Sequence, residues 1–83
     1  MSRTSLVRRS NARIAARALR TGFRAPVPLI CECSDSRCAE IVLVDLDTYR
    51  VERRHGLLTA PEHVVERGRV VRCDDGYWLH EAA

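Results

Sequence analysis

Three cysteines lie within eight residues of this 83-residue chain, where Cys31, Cys33 and Cys38 form the pattern C-x-C-x4-C. Three thiols this close together can converge on one point only where the backbone turns sharply, and residues 34–36, Ser-Asp-Ser, are of the types that turns favour. Thiolates are preferred ligands of Zn²⁺, which takes four nitrogen or sulfur ligands in a tetrahedron. The spacing therefore predicts a zinc site to which these cysteines supply three ligands. The simpler alternative is three buried core thiols or a single disulfide.

A chain this short would gain stability from such a metal site. A chain of 83 residues forms at most one domain, and one Trp, one Phe and two Tyr give it a small aromatic core. Proteins this small commonly need a metal, disulfides or a partner for stability. Residues 1–25 contain no apolar run of signal-peptide length, so we expect a cytoplasmic protein with reduced thiols. No stretch approaches the roughly 20 apolar residues of a membrane span, so no membrane association is expected.

The fourth ligand has to come from outside this cysteine cluster. His63 is the predicted ligand, because it follows Pro61 in a loop between two strand-like segments and can point back at the cysteines. Cys73 is the alternative, since it lies in a predicted strand beside a hairpin turn and would complete an all-thiolate site. His55 and His80 are weaker candidates. A site closed by four protein ligands is structural, because a catalytic zinc keeps an open position.

The charge of the chain is divided unevenly along its length. Residues 1–30 carry seven Arg and no acid, a formal charge of +7, whereas residues 31–83 carry seven Arg and eleven acids, a formal charge of −4. The sequence thus predicts a basic N-terminal helix or arm over residues 1–25 and a zinc-binding α+β domain over residues 26–83. Two prolines at the junction favour an extended connector.

Residues 4–21 have the pattern of an amphipathic helix, with Ser5 or Thr4 as its cap and Gly22 at its end. Its narrow apolar stripe, which Asn11 interrupts, consists of Val7, Ile14, Ala15, Ala18 and Leu19. The opposite face carries an arginine stripe formed by Arg9, Arg13, Arg17, Arg20 and Arg24. Guanidinium groups pair with phosphates and with carboxylates, so nucleic acid or an acidic partner could contact this stripe. The helix could equally pack on the domain or project from it.

The rest of the chain alternates strand-like and helical segments. A short helix is predicted over residues 48–55, capped by Asp45 or Asp47. An Asp-Asp-Gly turn predicts a hairpin that joins residues 69–73 to residues 77–80. Four further segments have strand-like composition: 29–31, 40–44, 57–59 and 64–65. The expected fold class is α+β, an N-terminal basic helix plus a small zinc-stabilised antiparallel sheet with one short helix.

These motifs resemble a family of small actinobacterial proteins whose activity is unassigned. The family pattern has an R-x-x-N-x-R-I helix, a C-E-C…C knuckle, a Tyr-containing helix with a following Arg, a P-G-H-like loop and a closing β-hairpin. The matching segments are 8–14, 31–33, Cys38, Tyr49, Arg53, 61–63 and 77–80. The resemblance implies that His63 is the fourth zinc ligand. This chain departs from the pattern in two places, because Glu62 replaces the glycine and Cys73 is additional, which keeps Cys73 as a competing ligand.

The sequence favours a binding or regulatory module over an enzyme. It contains no Ser/His/Asp set, glycine-rich phosphate loop or spaced carboxylate pair, so neither catalysis nor a small-molecule substrate is expected. The favoured hypothesis is a protein-interaction module with an unidentified protein partner. The alternative is a nucleic-acid-binding accessory protein that uses the arginine stripe. A weaker alternative is a zinc–thiol redox sensor, in which oxidation of the cysteines releases zinc.

Overall fold

A computed structural model describes residues 2–82 and confirms the predicted α+β class. Its elements, in chain order, are α1 Arg3–Thr21, β1 Val27–Ile30, β2 Ile41–Val44, α2 Leu46–Glu52, β3 Leu57–Thr59, β4 Gly68–Cys73 and β5 Trp78–Ala82. The strands form two antiparallel sheets, β1-β2 and β3-β5-β4, where the sequence suggested one. Neither helix of the described chain combines the length and the apolar composition needed to cross a bilayer.

The N-terminal helix α1 is bounded almost as its sequence predicts. Ser2, rather than Thr4 or Ser5, is the N-cap, and its hydroxyl accepts a hydrogen bond from the Ser5 amide at 3.2 Å. Gly22 follows the last turn with φ of 70°, a left-handed conformation that glycine adopts without steric cost. The cap explains where the helix begins, and the glycine explains where it stops.

Helix α1 packs on the rest of the molecule and does not project from it. Ala15 and Ala18 are buried, and their small side chains let the helix approach β1 closely. They belong to one apolar core whose other buried members include Val27, Leu29, Val42, Val44, Tyr49, Leu58, Tyr77 and Leu79. All five residues of the arginine stripe are exposed, but Arg24 lies beyond the end of α1, so the helix itself carries four of them. Helix α1 thus contributes to the same core as residues 26–83. The division of the chain into an arm over residues 1–25 and a domain over residues 26–83 stays a prediction.

The short sheet β1-β2 has one buried and one exposed face. The buried cross-strand partners are Val27 with Val44 and Leu29 with Val42. The intervening side chains point outward, so that Ile41 and Leu43 are 56% and 60% exposed. This alternation follows from the two-residue period of a strand.

The second helix begins earlier than the sequence suggested. Asp45 is its N-cap, and its carboxylate accepts a hydrogen bond from the Thr48 amide at 3.4 Å. Asp47 lies in the first turn, where a negative charge favours the helix dipole. The cap at Asp45 therefore moves the whole element about two residues toward the N-terminus.

Residues 64–65 form no strand, although two valines in sequence favour one. Val65 is buried, and its carbonyl oxygen accepts a hydrogen bond from the Gly68 amide at 2.9 Å. This bond closes a turn in which Arg67 has φ of 61°. The turn lets the chain enter β4 directly after the loop that carries His63.

Candidate metal centre

Four predicted ligands lie together in the structure. The ligand atoms of Cys31, Cys33, Cys38 and His63 are all within 4.8 Å of one another. The His63 Nδ1 atom is 3.4 Å from Cys31 Sγ and 3.5 Å from Cys38 Sγ. Zinc bonds of about 2.3 Å to sulfur and about 2.0–2.1 Å to nitrogen, at a tetrahedral angle, separate the two ligand atoms by about 3.6 Å. The cluster therefore has the dimensions to hold a metal ion such as zinc.

The backbone of the knuckle, residues 31–38, brings its three thiols to one point. The Cys31 amide donates to the Glu40 carbonyl oxygen at 3.0 Å and so continues the β1-β2 pairing. Asp35 then closes the turn, because its carbonyl oxygen accepts from the Cys38 amide at 3.1 Å and its carboxylate accepts from the Arg37 amide at 2.9 Å. These bonds return the chain toward Cys31 within eight residues.

The fourth candidate ligand, His63, lies in the loop between β3 and β4. The His63 amide donates to the Ala60 carbonyl oxygen at 3.1 Å, which closes a tight turn. Glu62 has φ of 68° at the position where the resembled family has glycine. The loop therefore has a backbone conformation that suits glycine, although a glutamate occupies it.

We expect Glu62→Gly to stabilise the protein by about 0.5–1 kcal/mol. The left-handed conformation costs an L-residue roughly 1–2 kcal/mol, and the greater freedom of glycine in the unfolded chain offsets part of the gain. The free energy of unfolding of the zinc-loaded protein in urea measures the effect. Glu62→Ala is the matched control, since it removes the same side chain but keeps the backbone cost. Equal stability of the two variants would contradict the explanation.

The second nitrogen of His63 faces a carboxylate. The Nε2 atom lies 3.3 Å from Glu40 Oε2, while Nδ1 faces the thiols. Histidines that bind metals usually donate their other ring N–H to a carboxylate or carbonyl, which fixes the tautomer and makes the free nitrogen a better ligand. Glu40 therefore favours the tautomer in which Nδ1 can bind a metal.

Burial changes the acidity of the innermost thiol. Desolvation raises the pKa of Cys31 to about 12, although the Ala60 amide, which donates to its sulfur at 3.2 Å, acts in the opposite direction. Without a metal, this thiol is therefore neutral at pH 7. A bound dication would stabilise the thiolate, so metal binding would release a proton and would weaken as the pH falls.

Arg3 binds the knuckle in a way that the sequence did not predict. Its guanidinium group donates to the carbonyl oxygens of Cys31, Cys33 and Cys38 at 3.3, 2.7 and 2.7 Å. Three thiolates around Zn²⁺ would carry a net charge of −1, which this cation would partly balance. The contact joins residues 28 to 35 positions apart. No local pattern distinguishes Arg3 from the other arginines of α1.

Asn11 and Glu32 form a buried polar link beside the cysteines. Asn11 Oδ1 accepts from the Ile30 amide at 2.8 Å, and Nδ2 donates to the Ile30 carbonyl oxygen at 2.8 Å and to Glu32 Oε2 at 2.9 Å. The other oxygen of Glu32 accepts from the Leu58 amide at 2.8 Å. Burial raises the pKa of Glu32, and the bonds from Asn11 and Leu58 oppose that shift. This link ties α1 to β1 and β3.

The other predicted candidates lie apart from the cluster. Cys73 is exposed at the end of β4, and His55 is exposed after α2. His80 is buried in β5, where its Nε2 atom forms a hydrogen bond of 2.9 Å with the Thr59 hydroxyl. Desolvation lowers the pKa of His80, which favours its neutral form. The described part of the chain thus brings His63, and not these residues, to the three thiols.

Comparisons of the chain with models of known protein families, with curated proteins and with solved structures find no match. The resemblance to small actinobacterial proteins therefore stays a prediction. What the structure supports directly is a cluster of three cysteines and one histidine that could hold a metal ion.

Proposed function

We propose that this chain is a structural zinc protein that acts as a protein-interaction or regulatory module. The observation that carries the proposal is the closed set of four protein ligand atoms within 4.8 Å of one another. Four such ligands complete the tetrahedron of zinc and leave no position for substrate. Three thiolates also reduce the Lewis acidity of the ion. The metal would thus hold the fold together and would not take part in catalysis.

The surroundings of the cluster support a structural role. Cys31 and Cys33 are buried, the Arg3 guanidinium group binds the knuckle from α1, and the His63 loop joins it from the side of β3. A metal at this point would join the knuckle to the His63 loop, and Arg3 ties α1 to the same knuckle. Burial of two of the thiols also weighs against the redox-sensor alternative, because an oxidant has to reach the sulfur.

A binding role fits the surface that this scaffold displays. The outer face of β1-β2 exposes Ile41 and Leu43, and the end of α1 exposes Leu19 and Phe23. Exposed apolar side chains that adjoin charged residues are typical of sites where a protein partner docks.

The ligand set can be tested by native mass spectrometry of the reduced protein. We expect one bound zinc ion per chain, retained in Cys73→Ala and lost in His63→Ala, because Nδ1 of His63 faces the thiols and Cys73 is exposed. Cys73→Ala is thus the matched control for loss of a candidate ligand. Retention of zinc by His63→Ala together with its loss in Cys73→Ala would show that the ligand set is wrong. A chain that takes up no zinc would overturn the proposed function.

Nucleic-acid binding is a second candidate function, favoured by the exposed arginine stripe of α1. Each arginine that neutralises a phosphate releases counterions. Each such contact would therefore lower the binding constant for duplex DNA by about 0.9 log units for every tenfold rise in salt concentration. A log–log slope of several units would support this candidate. Absence of binding to random duplex DNA at low salt would exclude it.

A further inference from the structure

The two helices enclose a groove that the metal site does not use. It has a volume of about 370 Å³ and lies between α1 and α2. Its floor is apolar, formed by Ala16 and Leu19 from α1 and by Leu46 and Tyr49 from α2. Two small residues of the lining, Ala12 and Ala16, leave room for the backbone of an incoming segment to approach α1.

A second depression adjoins the groove toward the N-terminus of α1. It is lined by Ser5, Arg8 and Arg9 and shares Ala12 and Arg53 with the first. The Arg8 guanidinium group donates to the Arg53 carbonyl oxygen at 2.9 Å, so the two depressions meet at this contact. Together they follow α1 from Ser5 to Leu19, a length of about 21 Å at roughly 1.5 Å per helical residue. This length matches about four turns of a helix laid alongside α1.

Arginines lie along both edges of the groove. Arg50, Arg53 and Arg54 line it on the side of α2, and no acidic residue is among its described lining residues. On the side of α1, Arg13 and Arg20 lie three and four positions from Ala16, which places them on the adjoining strip of the helix surface.

These rim charges are available to a partner. Arg50 and Arg54 form no ion pair within residues 2–82. Arg53 stacks over the Tyr49 ring, with its Cζ atom 5.6 Å from the ring centre. The edge of the groove formed by Arg50, Arg53 and Arg54 is therefore a positive surface with which no carboxylate of residues 2–82 forms an ion pair.

We propose that this groove binds an acidic amphipathic helix of a partner protein, a proposal that rests on the interaction-module function. The apolar face of that helix would cover Leu19 and Leu46, and its Asp or Glu residues would meet the arginines on both edges. Docking of an amphipathic helix into an apolar groove is a recurrent mode of peptide recognition. Nucleic acid would engage the arginines but would gain nothing from the apolar floor, so the floor favours a peptide.

The test begins with selection of phage-displayed random 16-residue peptides on the zinc-loaded full chain. We expect the selected peptides to be acidic and to carry apolar residues at helical spacing. Fluorescence anisotropy then measures the affinity of one labelled selected peptide. Leu19→Ser changes the floor, and Arg50→Ala/Arg54→Ala changes the rim. Each should weaken binding by about tenfold, a loss larger than most interface residues cause when they are truncated.

The matched control is Arg67→Ala/Arg69→Ala, which removes two charges from β4 and the turn before it and should change affinity by less than about twofold. Zinc content and far-UV circular dichroism confirm that each variant is folded, as expected because Leu19 is 54% exposed. Failure to select acidic amphipathic peptides would overturn the groove proposal.

The remaining outcomes separate this proposal from the function on which it rests. If a selected peptide binds the floor and rim variants as tightly as it binds the unchanged protein, the groove proposal is wrong and the interaction-module function stands. If a 16-base-pair DNA duplex binds, with an affinity that Leu19→Ser leaves unchanged, and no peptide does, both are overturned in favour of nucleic-acid binding.

Discussion

If the cluster binds zinc as proposed, removal of the ion is expected to unfold the protein. Binding of a structural zinc contributes on the order of 10 kcal/mol to folding, whereas a core of this size supplies only about 3–5 kcal/mol. Without the ion, the buried Cys31 and Cys33 thiols lose the group that organises them, and the knuckle loses its fixed geometry. Far-UV circular dichroism during treatment with a strong chelator should show loss of the helical signal and of the cooperative thermal transition.

The change should reverse when zinc, but not calcium, is added back, because a thiolate site does not suit a cation that prefers oxygen ligands. Cys33→Ser should behave as the metal-free protein, whereas Cys73→Ala should match the unchanged chain. A chelated protein that still melts cooperatively, with its midpoint lowered by only a few degrees, would show that the apolar core suffices without the metal.

Asn11→Ala is expected to lower the free energy of unfolding of the zinc-loaded protein by about 3 kcal/mol or more. The change removes three hydrogen bonds and leaves both backbone polar groups of Ile30 and one oxygen of Glu32 without this partner. A buried polar group left unsatisfied costs about 1–3 kcal/mol. Urea denaturation measures the loss.

Two variants define the cause of that loss. Ser10→Ala, at the exposed neighbouring position, should change stability by less than about 0.5 kcal/mol. Asn11→Asp keeps the acceptor for the Ile30 amide but removes both donated bonds and places a second carboxyl beside Glu32, so its loss should be at least as large as that of Asn11→Ala. A loss below about 1 kcal/mol in both Asn11 variants would show that water replaces the amide.

Local sequence signals predicted the elements of this fold well. The apolar stripe and Gly22 define α1, and the Asp-Asp-Gly turn joins β4 to β5. The spacing C-x-C-x4-C also identified three residues that the structure brings together. In each case the information lies within a few residues, because caps, turns and a short chelating loop are set by neighbouring side chains.

The links between elements could not be predicted in this way. Asn11 is a polar residue within the apolar stripe, and this is the only local feature that indicates a buried polar partner. Nothing local identifies that partner as Glu32, which is 21 residues away. Strand pairing is difficult to predict for the same reason, since the register between distant segments depends on the packing of the whole chain.

Glu32, which follows β1, lies where the two sheets come together. Its amide donates to the Leu58 carbonyl oxygen at 2.9 Å, but its carboxylate, not its backbone, accepts from the Leu58 amide. A side chain thus takes the place of one backbone bond here, and β1 and β3 belong to separate sheets. A strand pattern alone does not reveal such a substitution.

The positions of the ligands along the chain determine when the site can form during synthesis on the ribosome. His63 follows Cys38 by 25 residues. At about 5–20 residues per second, the three thiols wait roughly 1–5 s for their fourth ligand. During that interval the three thiols would lack the fourth ligand, and Arg3 would lack the finished knuckle that it binds. Capture of a metal by the complete cluster would therefore be a late event in synthesis.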